Sequence, residues 1–183
     1  MNAVAGFCEP PMVEGCLYDV ATGGEPLSGR SKNHRQPEGA NMPIEKMYAG
    51  FLGEWQLELA QSHFGQGEAP VAGGYTISES REGLVFVISW QDSEGKHHSF
   101  SFTGIPDGEA RPFAGDDLID SMSVSAPTEL ELTSRAFYKG RELMMAKRVL
   151  MEDGAVMEIT QSVLLPDGSQ PANVARYRRK LHS

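Results

Sequence analysis

Two polar side chains within apolar strand-like runs are the clearest candidates for chemistry in this sequence. His98 alternates with Phe100 and Phe102, so these three side chains share one face of a strand. An imidazole there can donate a hydrogen bond to a ligand oxygen or move a proton near neutral pH; a core histidine bonded to a neighbour is the structural alternative. Gln161 shares a face with Met157, and a buried amide needs a partner from protein, water or ligand. We therefore predict that His98 and Gln161 are the catalytic polar groups of an otherwise apolar cavity.

The other histidines and the cysteines lack the spacing of a metal site. His97 and His98 are adjacent, so on a strand they point to opposite faces and cannot chelate one metal ion together. Cys8 and Cys16 are too far apart for a short chelating pair, and no histidine lies near them, which predicts two free thiols. A glycine-rich phosphate loop is also missing. We therefore expect neither a metal nor another cofactor.

Alternating apolar and polar residues predict that these candidates lie on strands joined by hairpin turns. After a short helical turn at Ile44–Leu52, the predicted strands cover Glu54–Ala60, Gly74–Ser80, Leu84–Gln91, His97–Thr103, Ile119–Ser125, Glu129–Ala136, Glu142–Met151, Ala155–Leu164 and Asn173–Leu181. Glycines at positions 83, 95, 108, 140, 154 and 168 lie between these runs, and glycine accepts the positive φ of tight hairpin turns. Because no helix long enough for a parallel crossover intervenes, we predict an all-β, antiparallel fold.

A meander of this length is expected to close on itself, because closure removes the exposed edges of a sheet. We predict a single closed antiparallel up-and-down barrel of eight or nine strands, which leaves room for one small ligand. The alternation places a mostly apolar set of side chains toward the interior. The predicted ligand-binding residues are Tyr75, Ile77, Glu79, Phe86, Trp90, Phe100, Phe102, Met144 and Met157. Methionine adapts to ligands of irregular shape, although it also fills ordinary cores.

The two ends of the predicted barrel resemble the calycin superfamily, to which lipocalins and fatty-acid-binding proteins belong. Phe51-Leu52-Gly53-Glu54-Trp55 resembles the F-x-G-x-W opening of calycin barrels. Tyr177-x-Arg179-Lys180 resembles the basic closing strand of bacterial lipocalin-like domains. In that superfamily the first-strand tryptophan packs beneath a last-strand arginine. The resemblance therefore implies a structural cation–π pair between Trp55 and Arg179, or Arg178, at one barrel end.

The resemblance leaves two functions open. Fatty-acid-binding proteins hold a carboxylate with Arg-x-Tyr in the last strand, whereas here Arg176 and Tyr177 are adjacent and point to opposite faces, so fatty-acid binding is not implied. Some bacterial calycin barrels are cyclases or (4+2) cycloaddition catalysts of natural-product pathways, in which positioning and polarisation supply the rate without a cofactor. We expect the chain to bind a bulky apolar molecule and fold it for such a cyclisation. The alternative is a non-catalytic intracellular carrier of an apolar metabolite.

Residues 1–43 differ from the rest and are predicted to be an N-terminal extension of the barrel domain at 44–183. Prolines and glycines interrupt this segment, yet its first half carries a cluster of apolar side chains. One interpretation is a disordered tail. The other is a lid that packs over the barrel mouth or the bound ligand, so that closure and binding are coupled. The predicted lid residues are Val4, Phe7, Met12 and Leu17.

The net charge of the chain limits the classes of molecule that it is expected to bind. A net charge of −9 argues against nucleic-acid binding, which needs basic side chains to replace counterions, and disfavours docking on an anionic membrane. No apolar run reaches the roughly 18 residues of a membrane span. Met1 to Pro11 lacks the basic and apolar regions of a secretory signal. We therefore expect a cytoplasmic protein whose partner is an apolar small molecule, and the oligomeric state is left open.

Overall fold

The computed structural model describes residues 47–65, 67–116 and 118–181, with the backbone alone at 115 and 116. Its eleven strands are β1 Gly53–Leu57, β2 His63–Phe64, β3 Ala72–Ser80, β4 Gly83–Gln91, β5 His97–Gly104, β6 Arg111–Asp116, β7 Ile119–Thr128, β8 Glu131–Tyr138, β9 Arg141–Met151, β10 Val156–Val163 and β11 Ala172–Arg179. Three 3-10 turns are formed by Ala49–Phe51, Leu59–Gln61 and Glu152–Gly154. The predicted extension at residues 1–43, including its four lid residues, lies outside the described residues, so the lid stays a prediction.

The fold is all-β and antiparallel, as the alternation predicted. In β4, for example, Leu84, Phe86, Ile88 and Trp90 are buried, and the residues between them are half-buried or exposed. Five of the six expected glycines, at positions 83, 95, 140, 154 and 168, lie at hairpins. Gly108 instead lies between β5 and β6, which do not pair within the described residues, and the β7–β8 turn has no glycine. Between β8 and β9, Lys139 and Gly140 both have positive φ, at 50° and 77°. Two consecutive residues of this kind favour the tight turn that matches the twist of the flanking strands.

The strands follow one another in the sheet almost as they do in the chain. The hydrogen-bonded order is β5-β4-β3-β1-β11-β10-β9-β8-β7-β6, and β2 pairs with β11 outside this path. Strands from both halves of this order line one cavity. The sheet therefore curves around an interior space instead of lying flat.

The two ends of the sheet, β5 and β6, are not joined by hydrogen bonds within the described part of the chain. The end of β5 and the loop that follows it instead approach β7, the neighbour of β6 in the sheet. A Cβ added to Gly104 at the end of β5 would lie 2.3 Å from Cγ2 of Val124 in β7, and Asp107 forms an isolated antiparallel bridge with Ser125. The predicted continuous closure of the barrel is thus not confirmed, and the described residues form eleven strands instead of eight or nine.

One end of the interior that the curved sheet encloses is filled by side chains around Trp55 of β1, and this region is called the packed end below. Its indole is fully buried, and Nε1 donates a hydrogen bond to the carbonyl of Phe51 at 3.0 Å. The pairing of β1 with β11 places Trp55 opposite Arg179. The guanidinium carbon of Arg179 lies 4.1 Å from the centroid of the Trp55 ring, and Arg178 is exposed on the other face. The contact implied for Trp55 is therefore made by Arg179.

Arg179 also ties three separate segments to the last strand. Its nitrogens donate to the backbone carbonyls of Leu52 at 2.7 Å, Gly154 at 3.0 Å and Gly50 at 2.5 Å. Burial lowers the pKa of Arg179, because desolvation disfavours the charged form. The side chain still carries its charge, since an arginine remains protonated in proteins. It therefore acts as a cationic clamp at the packed end.

Candidate ligand-binding site

A cavity lies inside the curved sheet. Its empty volume is about 780 Å³, a figure that includes the open solvent at its mouth. Eight strands, β3–β5 and β7–β11, supply the lining. The apolar lining side chains are Ile88, Phe100, Phe102, Ile119, Met122, Met144 and Ile159. A space of this kind fits a small molecule whose apolar part extends from the interior into the mouth.

Three alanines explain why the interior is hollow at this level. Ala136, Ala146 and Ala175 point into the cavity from β8, β9 and β11. Alanine has no side-chain atom beyond Cβ, whereas Met157 and Tyr177 fill the interior toward the packed end, with at most 1% of their surface exposed. Tyr177 also lines the cavity, at its boundary with that end. The change from Tyr177 to Ala175 along β11, together with Ala136 and Ala146 on the neighbouring strands β8 and β9, therefore separates a packed end from a hollow middle.

Arg148 of β9 is the central polar group of the cavity. Its side chain is 2% exposed and lines the cavity together with Tyr75 of β3 and Ser134 of β8. Nε and one terminal nitrogen donate to the Tyr75 hydroxyl, at 3.0 and 2.6 Å. Both terminal nitrogens contact Ser134 Oγ at 3.2 Å, and one also donates to the carbonyl of Ala146 at 3.0 Å. These bonds hold the guanidinium across the interior between opposite walls.

The acceptors around Arg148 are all neutral. Within the described ranges, no aspartate or glutamate forms a salt bridge with this arginine. Two aromatic faces give partial compensation, since the guanidinium carbon lies 4.9 Å from the centroid of Phe86 and 5.4 Å from that of Tyr75. A buried charge without a counter-ion still costs several kcal/mol after relaxation. The cavity therefore has a positive potential that an anionic group can neutralise.

A second polar set lies beside Arg148. Gln161 of β10 and Asn173 of β11 face each other across the two strands and both line the cavity. Gln161 Nε2 donates to the sulfur of Met144 at 3.3 Å, which is a weak acceptor. In the same row, Ala146 pairs with Gln161 on one side and with Ser134 on the other. A polar row therefore crosses the cavity next to the charged one.

The structure brings together only some of the residues predicted to bind ligand. Of these, Tyr75, Phe100, Phe102 and Met144 line the cavity, and so does Gln161, which was predicted as a catalytic group. Ile77, Phe86 and Met157 point inward but belong to the packed core, where none of them is more than 1% exposed. Alternation correctly predicted their face of the sheet. It did not show at which residue of each strand the cavity ends and the packed core begins.

Glu79 and Trp90, also predicted to bind ligand, lie further along their strands than the residues that line the cavity. Glu79 is exposed near the end of β3 and accepts a hydrogen bond from the hydroxyl of Tyr48 at 2.5 Å. Trp90 lies near the end of β4 and stacks on His98, with ring centroids 5.1 Å apart. Neither side chain lines the cavity.

His98, predicted as a catalytic group, also lies outside the cavity lining. Its Nε2 is 2.7 Å from Oδ2 of Asp92, and its side chain is 18% exposed. The hydrogen bond from His98 lowers the pKa of Asp92, and a backbone N–H bond from Lys96 adds to this effect. Asp92 Oδ1 also accepts the backbone N–H of Glu94, so the carboxylate organises the turn between β4 and β5. The imidazole is thus a structural partner of a hairpin, and the predicted pair of His98 and Gln161 is not brought together.

Sequence reasoning missed Arg148, Ser134 and Asn173. The signal for Arg148 was present, since it alternates with Met144, Ala146 and Leu150 on an inward face of a strand. A cation on such a face is unusual, because arginine is almost never fully buried unless it is paired. The two smaller polar residues carry no comparable signal.

Other kinds of site find no support in the described part of the chain. No three histidine, cysteine, aspartate or glutamate side chains there come close enough to hold a metal ion. None of its helices has the length and hydropathy of a membrane span.

Comparison with known proteins gives fold-level similarities only. No protein-family profile and no curated protein sequence matches this chain. The chain is similar to a solved Schistosoma mansoni fatty acid binding protein in complex with arachidonic acid, with 17% sequence identity, a TM-score of 0.46, and coverage of 74% of this chain and 99% of that chain. It is also similar to a zebrafish ileal bile acid-binding protein complexed with cholic acid, with 11% identity, a TM-score of 0.40, and coverage of 72% and 99%. At these values neither similarity identifies the family or the ligand of this chain.

Proposed function

We propose that this chain is a non-catalytic binding protein for a largely apolar small molecule with an anionic head group, and that Arg148 holds this head group. One observation carries the proposal: a guanidinium that is 2% exposed lines an otherwise mostly apolar cavity and has only neutral acceptors among the described residues. A carboxylate or similar anion would supply the missing negative charge. The apolar walls would hold the rest of the molecule.

The physical gain from such a ligand is specific to the anion. Hydrogen bonds that involve a charged group contribute about 1.5–3 kcal/mol, and the planar guanidinium suits two-pronged recognition of a carboxylate. Tyr75 and Ser134 orient the guanidinium before the ligand arrives, since both accept hydrogen bonds from it. Because these bonds and the one to the Ala146 carbonyl already engage the five N–H groups of the guanidinium, a carboxylate would bind by replacing neutral acceptors such as Ser134 Oγ with its own charged oxygens.

The cavity supports the carrier hypothesis better than cyclisation. Cyclisation was expected to use His98 and Gln161 together, and His98 is bonded to Asp92 outside the cavity lining. The polar groups that do line the cavity are suited to holding a charge and a few oxygens. The cyclase hypothesis therefore stays a prediction, and His98, which it needs in the cavity, does not line it. We favour the alternative function, an intracellular carrier of an apolar metabolite.

The proposal is tested by comparing two ligands that differ only in head group. Tetradecanoate and tetradecan-1-ol would each be used to displace the neutral fluorophore Nile red. We expect the parent chain to bind the carboxylate about 10- to 100-fold more tightly than the alcohol. Arg148→Met should remove this preference, while the alcohol binds as before.

A matched control is available on the same strand. Arg141 begins β9 and is exposed, so Arg141→Met changes the net charge equally without altering the cavity. This control should keep the preference for the carboxylate. Equal affinity of the parent chain for the acid and the alcohol would contradict the proposed function, as would an unchanged preference in Arg148→Met.

A further inference from the structure

The two polar sets of the cavity occupy successive rows of inward-facing residues. Arg148 pairs with Ile159, and Ile159 with Ala175, across β9, β10 and β11. Two residues further along each strand, Ala146 pairs with Gln161, and Gln161 with Asn173. The second row is further from the end closed by Trp55 and Arg179. Two residues of a strand span about 7 Å along the backbone, and the Arg148 guanidinium extends toward the second row, where it contacts Ser134 and the carbonyl of Ala146. A head group held at Arg148 is therefore within a few bonds of the Gln161 and Asn173 positions.

The second row contains more polar side chains than a ligand with a purely hydrocarbon chain would need around it. On β8 to β11 this row consists of Ser134, Ala146, Gln161 and Asn173, and the small side chain of Ala146 leaves space between the three polar ones. The apolar residues Val124 and Phe64 continue the row at its two ends. Covering amides with alkyl groups removes water without replacing its hydrogen bonds, which disfavours a ligand that is hydrocarbon at this level. A primary amide has two donors and two acceptor lone pairs, so a side chain that already has a partner keeps capacity for a ligand oxygen.

We propose that Gln161 and Asn173 form a second polar subsite, which selects a ligand carrying a hydroxyl or carbonyl oxygen along its chain, a few bonds from the anionic head group. This proposal rests on the proposed function, because the head group at Arg148 fixes which part of the ligand reaches the second row. The ligand class is then an oxygenated amphipathic acid. A simple saturated fatty acid would bind less tightly.

Positional isomers of one ligand test this subsite. Tetradecanoic acid and its monohydroxy isomers, with the hydroxyl moved stepwise along the chain, would be titrated by calorimetry into the parent chain. We expect one or two adjacent hydroxyl positions to bind about 5- to 10-fold more tightly than the unsubstituted acid. Gln161→Leu and Asn173→Leu should each abolish this gain and leave the affinity for the unsubstituted acid equal or higher.

Gln56→Leu is the matched control, since Gln56 is an exposed glutamine of β1 that bonds the carbonyl of Gly73 and does not line the cavity. It should keep the gain from the hydroxyl. Using two separate cavity variants keeps the test decisive if one of them does not fold.

The outcomes separate this proposal from the proposed function. If tetradecanoate binds in an Arg148-dependent manner but no hydroxyl position improves affinity, the second subsite is refuted and the proposed function stands. The second subsite is also refuted, and the proposed function again stands, if the gain from the hydroxyl survives in both cavity variants. If neither tetradecanoate nor any hydroxy isomer binds, both proposals are refuted.

Discussion

Replacing Arg179 with methionine should destabilise the fold far more than the same change at its neighbour Arg178. Arg179 makes three hydrogen bonds to backbone carbonyls and lies 4.1 Å from the centroid of the Trp55 ring. Each charged hydrogen bond is taken as about 1 kcal/mol here, below the usual range, because the side chain is partly exposed. The cation–π contact adds about 0.5–1 kcal/mol. The expected loss in the free energy of unfolding is therefore about 3–4 kcal/mol.

Urea denaturation measures this loss. With a slope of roughly 1.5–2 kcal/mol per M, Arg179→Met should lower the urea midpoint by about 2 M without changing the slope. Arg178 is exposed and pairs with Glu58 and Glu152, so Arg178→Met removes the same charge but should lower the midpoint only slightly. Equal midpoints for the two variants would refute the assignment of Arg179 as the clamp of the packed end.

Three further predictions test other parts of the structure. The Arg111 guanidinium lowers the pKa of Asp107 to about 2, so the stability that this carboxylate contributes is complete above pH 3.8 and is lost as the pH falls toward 2. Asp107→Asn should therefore flatten the fall in the urea midpoint over that pH range. An unchanged pH profile would contradict this role of Asp107. Gly104→Ala should destabilise the fold by about 1–3 kcal/mol, because the new methyl collides with Val124 where β5 approaches β7. The loss should shrink in a Val124→Ala background, and an equal loss there would contradict this contact. His98→Phe should leave tetradecanoate affinity within about twofold of the parent, since His98 does not line the cavity, and a larger change would reinstate its predicted role.

The strands could be predicted because their signals are local. Apolar alternation and turn glycines lie within a few residues of each other, and they located nine of the eleven described strands. The two missed strands have weak local signals. β2 has two residues, and β6 contains Pro112, which lacks the N–H of a regular ladder and lies at a register shift. The approach of β5 to β7 depends on contacts such as Gly104 with Val124, which no local pattern shows.

The candidate site was harder to predict because alternation shows on which face of the sheet a side chain lies, but not whether it lies at the cavity or at the packed end. Phe100 and Met157 are both inward-facing, yet only Phe100 lines the cavity, since Met157 lies toward the packed end. His98 was chosen because histidine titrates near neutral pH, but its partner Asp92 comes from the adjacent turn. Arg148 obeys the same alternation, and its fully buried position depends on Tyr75, which is 73 residues away in the chain.

The most direct test of the central claim is to follow the charge of a bound carboxylate. Tetradecanoic acid labelled with carbon-13 at the carboxyl group would be bound to the parent chain and to Arg148→Met, and its carboxyl resonance recorded by NMR as the pH is lowered. A carboxylate bonded to a buried guanidinium keeps its charge below the pKa of about 4.3 that is typical of an alkyl carboxyl side chain. We expect the bound signal of the parent chain to stay at the ionised position well below that pH, and that of Arg148→Met to titrate at or above it. A parent signal that titrates like that of the free acid would contradict the assignment of Arg148 as the head-group site.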